Sequence, residues 1–243
     1  FGNIKSINKK TSSIDLVTEA DLSSEKILID KIYKKYPDHT IITEESDLKN
    51  KNSDFRWVID PLDGTTNFVH NLPIFAVSIA LQYKQKTVLG VVYNPAADKM
   101  FYATINNGSY LNEKAINISS SNTLSDSLIT TGFPYLHDDR WDLSFDIFKI
   151  IYSKSRGIRR LGSAALDLCF VAMGRFEGFY EFNLKPWDIC AGTIIAHEAG
   201  AKVTDWNNNK LPFSGKRILA TNGKIHKEMI SILNSKKYDI FYK

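Results

Sequence analysis

The chain is poor in the residues that would point to several large classes. It has two cysteines, Cys169 and Cys190, among 243 residues. Both sit in apolar, helix-like stretches without metal-ligand spacing. They read as buried free thiols in a reducing compartment, not as a disulfide framework. No apolar run approaches the ~20 residues that cross a bilayer, and no signal peptide is visible. A cytoplasmic protein with no membrane partner is expected. The five histidines are scattered and no paired His or Cys motif exists, which disfavours zinc. The net charge of +4 is spread among 27 acidic residues. No run of like charge is long enough for a nucleic-acid arm. Repeats, low-complexity segments and long linkers are also missing, so a single domain over residues 1–243 is expected. The start, Phe1-Gly2-Asn3, does not resemble a native initiator, and upstream residues are expected to be missing.

What is present is a mixture of both periodicities. Leu22 to Tyr36 reads as an amphipathic helix with Leu22, Ile29, Ile32 and Tyr36 on one face, stopped by Pro37. Thr40 to Thr43 and Arg56 to Asp60 read as short strands. Val77, Ile79, Leu81 and Tyr83 alternate with Ala76, Ser78, Ala80 and Gln82, the period of a strand. Lys84-Gln85-Lys86 then turns the chain back through Thr87 to Tyr93. Met100 to Ile105 and Ser109 to Ile118 extend this antiparallel region. Beyond it, helices are expected at Arg140 to Tyr152, Ala164 to Met173 and Asp188 to Ala199. Strands are expected at Leu128 to Thr131, Gly178 to Phe182, Lys202 to Thr204 and Ile218 to Thr221. Mixed sheets layered with helices follow.

The most informative segment is Asp60-Pro61-Leu62-Asp63-Gly64-Thr65-Thr66-Asn67, directly after the apolar Trp57-Val58-Ile59. Pro61 restrains the chain between two carboxylates, and Gly64 allows close approach of a ligand. A helix beginning near Gly64 would offer free N–H groups to a phosphate. Asp21, Glu44, Glu45 and Asp188 also sit beside apolar segments, where loops on a rigid scaffold converge. Such carboxylates suit a hard cation such as magnesium. Taken singly, each has an ordinary explanation: Asp63 and Asp188 could be helix caps, and an Asp-Gly pair a plain turn. Their joint occurrence favours a site.

The joint pattern resembles the inositol monophosphatase family, within the magnesium-dependent, lithium-sensitive sugar phosphatases. The matching stretches are Asp15 to Asp21 through Glu44-Glu45-Ser46, Trp57 to Phe68, and Trp187-Asp188-Ile189-Cys190-Ala191-Gly192. The resemblance runs from Lys10 to about Asn222. It implies an α+β fold, a layered α-β-α-β-α sandwich with mixed and antiparallel sheets, forming one catalytic domain. The family's N-terminal helix is expected to be missing, because little precedes Lys10.

The resemblance also implies roles. Glu44, Asp60 and the Leu62 carbonyl would hold one Mg2+, and Asp60, Asp63 and Asp188 a second. A third, weaker ion would lean on Glu44. Glu45 would support these ligands from behind. Thr65, bonded to Asp21, would orient and activate the attacking water together with Glu44. Lys10 would reach the site from a loop, or be simply solvated. The N–H groups of Gly64 and Thr65 would hold phosphate, with Leu62, Asp63 and Asp188 also bordering the substrate. Gly162-Ser163-Ala164 would face the sugar, and Ser163 could equally cap a helix. Glu181 would bond a substrate hydroxyl, or be an exposed strand-end charge.

The implied reaction is hydrolysis of a small phosphorylated polyol or sugar, first of all inositol 1-phosphate. Fructose 1,6-bisphosphate, histidinol phosphate and NADP are alternatives, because Thr131-Gly132-Phe133-Pro134 and Arg160 to Ala165 resemble prokaryotic members. A homodimer is implied. A second role with the transcription machinery stays open, and with it a contact to nucleic acid. Arg156, Arg159 and Arg160 form a basic cluster that reads as a solvated face, a second-phosphate contact or a partner contact.

Overall fold

Strand β5 (Ala76–Tyr83) shows how the sequence builds this molecule. The computed structural model describes residues 7–9, 16–48, 50–134 and 138–242. In β5 the fully buried face is the small and polar one, Ala76, Ser78, Ala80 and Gln82. Ala80 lies opposite Gly90 of β6 (Lys86–Asn94), and Gly90 opposite Ala103 of β7 (Lys99–Thr104). This row of small side chains forms a shallow trough across the sheet. Helix α5 (Pro186–Glu198) lies in it, so close that a Cβ on Gly90 would meet the Ala191 carbonyl at 2.7 Å. A helix apolar on all sides belongs in an interior layer, and α5 buries Ile189 to Gly192 and Ile194 to Ala196.

The large sheet has seven strands in the order β3 (Thr40–Thr43), β4 (Phe55–Asp63), β5, β6, β7, β8 (Ser109–Leu111) and β9 (Lys114–Ile116). Only β3 and β4 are parallel; the rest form an antiparallel meander. Lys84 and Gln85 both have positive φ, as a two-residue hairpin between twisted strands requires. Asn112 and Glu113 do the same and split the expected Ser109 to Ile118 strand into β8 and β9.

The second sheet has the order β11 (Gly157–Arg159), β10 (Leu128–Thr131), β12 (Gly178–Phe182), β14 (Arg217–Thr221) and β13 (Lys202–Thr204), with parallel and antiparallel pairs. Between the sheets lie α4 (Ala164–Ala172) and α5, and one apolar core joins residues of both sheets through them. Strand alternation gives the second sheet two faces. Phe179, Ile218 and Ala220 enter that core. Tyr180, Phe182 and Leu219 enter a second core, under α3 (Asp139–Lys154) and α6 (His226–Leu233). Helix α1 (Glu19–Lys35) packs on β4 of the large sheet. The short α2 (Thr65–Val69) follows β4. A small antiparallel pair, β1 (Ile7–Lys9) and β2 (Leu16–Thr18), precedes α1. The expected layered sandwich is the observed architecture.

Two differences from the sequence reading bear on the site. Leu22 is 49% exposed, and α1 instead buries the carboxylates Asp21 and Glu25. Polar partners make this tolerable: Glu25 accepts from Thr43 Oγ1 at 2.8 Å and Ser46 Oγ at 2.6 Å. Strand β4 does not stop at Asp60. It continues through Pro61 to Asp63, with a register shift between Asp60 and Asp63. Proline fits there because a bulge needs no ladder donor from it.

Two expectations concern the core. Alanine is a better helix former than glycine by ~1 kcal/mol. At Gly192, however, a Cβ would sit 2.7 Å from Leu168 Cβ on the neighbouring helix. Gly192→Ala should therefore lower stability by ~1–3 kcal/mol, read as a drop in denaturation midpoint. His226 is buried between Thr204 Oγ1 and Thr221 Oγ1, at 3.1 and 2.9 Å. Burial, then the Lys202 charge, pushes its pKa down from 6.5 to about 4. Its contribution is complete above the unfolded pKa and is lost as pH falls through the folded one. The stability advantage of the wild type over His226→Gln should shrink between pH 6.5 and 4, measured by denaturant titration.

Candidate active site

The parallel pairing of β3 with β4 places Thr43 opposite Ile59, so Glu44 leaves β3 beside Asp60. Asp60 lies opposite Ser78, whose Oγ donates to the Trp187 carbonyl at 3.3 Å. That bond brings Asp188, at the start of α5, to the same end of the sheet. The bulge in β4 then turns Asp63 toward α4. Ser163 Oγ and the Ala165 amide donate to Asp63 Oδ2 at 2.6 and 2.8 Å. Glu44, Asp60, Asp63 and Asp188 all line one cavity of about 470 Å³, the size of a small-molecule site.

These carboxylates are close enough to disturb one another. Asp60 is 2% exposed. Its pKa is pushed well above the carboxylate range by burial and then by Glu44, Asp63 and Asp188. Burial raises Asp63 to about 6, against the opposing Ser163 and Ala165 hydrogen bonds. Burial, with Asp63 and Glu44, raises Asp188. An acidic, oxygen-only donor set under mutual repulsion fits a hard divalent cation. In Asp60, Asp63 and Asp188 the hydrogen bonds fall on one carboxylate oxygen. Asp60 Oδ1 accepts from Leu62 N at 3.0 Å, and Asp188 Oδ2 from Lys185 N at 2.7 Å. Among the described residues, no three His, Cys, Asp or Glu side chains are drawn together closely enough to hold an ion by themselves. An open arrangement of this kind suits magnesium, which keeps several waters and takes oxygens from its substrate.

Beside the carboxylates, Thr65 Oγ1 lies 3.1 Å from both Asp21 Oδ1 and the Leu62 carbonyl. Asp21 is locked from its other side by Thr18 N and Thr18 Oγ1, at 2.8 and 2.6 Å, as the capping box of α1. Gly64 precedes α2 in the left-handed region, φ +93°. A Cβ there would stand 2.9 Å from the Ile74 carbonyl, so no other residue fits without a shift. Helices α2, α4 and α5 all begin at the wall of this cavity. Their positive dipole ends favour an anion there, although at α4 the first amides are already taken by Asp63 and Ser163.

The same cavity is also lined by Gly162, Ser163, Ala164 and Glu181. Ser163 both caps α4 and donates to Asp63. Glu181 is no exposed strand-end charge. It is half-buried on β12, and burial, with Asp167 and Asp188, raises its pKa. Gly132 makes room for it: a Cβ there would fall 2.2 Å from Glu181 Oε1.

Three residues here escaped the sequence reading. Asp167 is buried on α4 and accepts from Thr130 Oγ1 at 2.7 Å, and it lines the cavity. An acidic residue in an apolar helix was its only signal. Glu25 brackets the Glu44-Glu45 bend through Thr43 and Ser46. Gly132 lay in a motif noted only for its prokaryotic likeness. The arginine cluster is not one surface. Arg156 pairs with Asp126 at 2.9 Å. Arg159 donates to the Ile158 carbonyl, and Arg160 alone lines the cavity. Glu45 shares the bend with Glu44. Cys169 and Cys190 are buried and unpaired. Lys10 lies outside the described residues.

Known proteins are similar to this chain over nearly its whole length. A model of the inositol monophosphatase family matches residues 1–238. The inositol-1-monophosphatase of Synechocystis sp. is 43% identical over 96% of this chain and 82% of its own length. Nus factor SuhB of Pasteurella multocida is 42% identical over 96% and 87%. The solved IMPase of Thermotoga maritima superposes with TM-score 0.89 at 36% identity, covering 96% of this chain and 89% of that one. An IMPase/NADP phosphatase at 25% identity and TM-score 0.84, covering 95% and 87%, was solved complexed with Mg2+ and phosphate. Sequence, fold and the acidic cavity agree: the chain belongs to the inositol monophosphatase family.

Proposed function

We propose that the protein is a Mg2+-dependent phosphomonoesterase that hydrolyses inositol 1-phosphate to inositol and phosphate. The observation that carries this is the meeting of Glu44, Asp60, Asp63 and Asp188 at one cavity beside the Thr65–Asp21 pair. Glu44, Asp60 and the Leu62 carbonyl would hold one ion, and Asp60, Asp63 and Asp188 another, with Glu45 supporting the set. A third, weaker ion would lean on Glu44. When bound, magnesium supplies positive charge against the phosphate and acidifies water. The Gly64 and Thr65 amides receive phosphate oxygens at the start of α2. Thr65 Oγ1 has one proton to donate, toward Asp21 or Leu62, which leaves its lone pairs to accept from water. Thr65 thus orients the water, and a carboxylate, Glu44 directly or Asp21 through the Thr65 hydroxyl, receives its proton. Glu181 and the Gly162-Ser163-Ala164 turn receive the alcohol, and Lys10 stays a candidate catalytic residue. No covalent enzyme intermediate is required. We place the enzyme in the cytoplasm as a lithium-sensitive homodimer.

A second reading attaches to the same chain because relatives named Nus factor SuhB are 41–42% identical to it. It is a transcription-associated role alongside catalysis, and capture of RNA polymerase components by the tagged protein tests it.

Phosphate release from inositol 1-phosphate should require Mg2+, stop in chelator and fall with millimolar lithium. Activity that persists in chelator removes the metal mechanism. Fructose, histidinol and nucleotide phosphates, compared by kcat/KM, rank the alcohol. Asp60→Asn should cost more than the ~10–100-fold typical of a residue behind the ligands, with the fold unchanged by circular dichroism. Gly132→Ala should displace Glu181, raising KM for the polyol substrate while the Mg2+ concentration for half-maximal activity stays put.

A further inference from the structure

Asn67 ends the conspicuous motif and has no assigned task. Its side chain is buried, 6% exposed, in α2. Nδ2 lies 2.7 Å from the Ile74 carbonyl, 2.7 Å from the Leu161 carbonyl and 3.5 Å from the Gly162 carbonyl. Three carbonyl oxygens around one end of the amide fix that end as NH2, since an oxygen there would face only acceptors. A buried amide that loses such partners is costly, so this contact is strongly specified.

Ile74 is only 7 residues away in sequence, but the other two partners are 94 and 95 away, at the turn that lines the cavity beside the phosphate loop. The turn is held at two points. Asn67 holds Leu161, and Asp63 holds Ser163 through the 2.6 Å bond. Between these points Gly162 takes φ +81°. The two left-handed glycines pack against each other, with the Cβ direction of Gly64 3.2 Å from the Gly162 carbonyl. One short segment, Asp63 to Asn67, therefore carries the phosphate side and also sets the position of the alcohol side.

We propose that Asn67 is a positioning residue for substrate selection: its amide N–H groups fix the Leu161–Ala164 turn against the phosphate loop, and so set where a polyol or sugar phosphate places its hydroxyls. The inference rests on the reading of that turn as the alcohol wall. Asn67 touches no substrate in this account. It acts through the turn, so an aryl phosphate without hydroxyls should not sense its loss.

The test uses the full-length protein, with kcat/KM measured at saturating Mg2+ for inositol 1-phosphate, a sugar phosphate and p-nitrophenyl phosphate. Asn67→Ala should lower the ratio of polyol or sugar phosphate to aryl phosphate by about tenfold or more, within the ~10²-fold that a 1 Å misplacement costs. The loss should appear mainly in KM, with the Mg2+ requirement unchanged because the Asp63–Ser163 bond remains. Asn67→Asp keeps the shape and removes the donors, so it should be at least as impaired. A wild-type ratio in Asn67→Asp, or equal losses on all three substrates, overturns the proposal. Should Asn67→Ala fail to fold by circular dichroism, Asn67→Gln keeps an NH2 donor but moves it by a methylene. It should show the same one-sided loss, and a uniform loss overturns the idea. If the wild type prefers none of the hydroxylated substrates, the alcohol-wall reading fails in the wild type alone. The Asn67 claim is still read from whether the variants change the ratio.

Discussion

Four carboxylates held at one cavity repel each other, and the surrounding structure exists to keep them there. Burial alone raises the pKa of Asp60 and Asp188, and neighbouring charges raise them further. Left to themselves, such side chains would turn to solvent or pick up protons. Three of them are instead tied by one oxygen to a backbone or hydroxyl donor: Asp60 to Leu62, Asp63 to Ser163 and Ala165, Asp188 to Lys185. A bound cation would relieve the repulsion that these ties maintain. The helices that begin at the cavity supply a fixed, partly compensating positive field.

Holding that geometry places demands far from the cavity. The Ser78 bond to Trp187 needs α5 flat against the sheet. That close approach in turn needs the row Ala80, Gly90 and Ala103 to be small. Helix α4 meets α5 through Gly192 against Leu168. The middle layer is thus packed by small residues so that its helix starts reach the acidic strand end. On the outer side, α1 contributes Asp21 and Glu25, which steady Thr65 and the Glu44 bend. A site on rigid elements, backed by a second set of contacts, can hold reacting groups to a fraction of an ångström.

Local elements were readable where one period dominates. Thr40 to Thr43, Leu128 to Thr131 and Gly178 to Phe182 are strands with the expected bounds. The turn at Lys84-Gln85 was legible from its flanking alternation. Other features had no local signal. Gly157 to Arg159 forms a strand only because β10 offers its edge. Leu22 was assigned to a buried helix face, because hydrophobicity was weighed and hydrogen-bond partners were invisible. Asp21 and Glu25 take the buried positions, since Thr18, Thr43, Ser46 and Thr65 satisfy them. The arginines at 156, 159 and 160 look like one patch in sequence. They diverge because β11 ends among them.

The sequence by itself determined the donor chemistry: which oxygens are available, where a glycine lets the chain approach a ligand, and the family resemblance borne by Asp60 to Asn67, Glu44 and Trp187-Asp188. Those are properties of residue types at short spacing. Only the tertiary structure decided that β4 runs on through Pro61 into a bulge that aims Asp63 at α4. It also decided that Glu181 is sheltered by Gly132, and that Asn67 reaches Leu161 across 94 residues. Such contacts depend on register and layer packing, which are set by the whole chain at once and leave no mark at any single position.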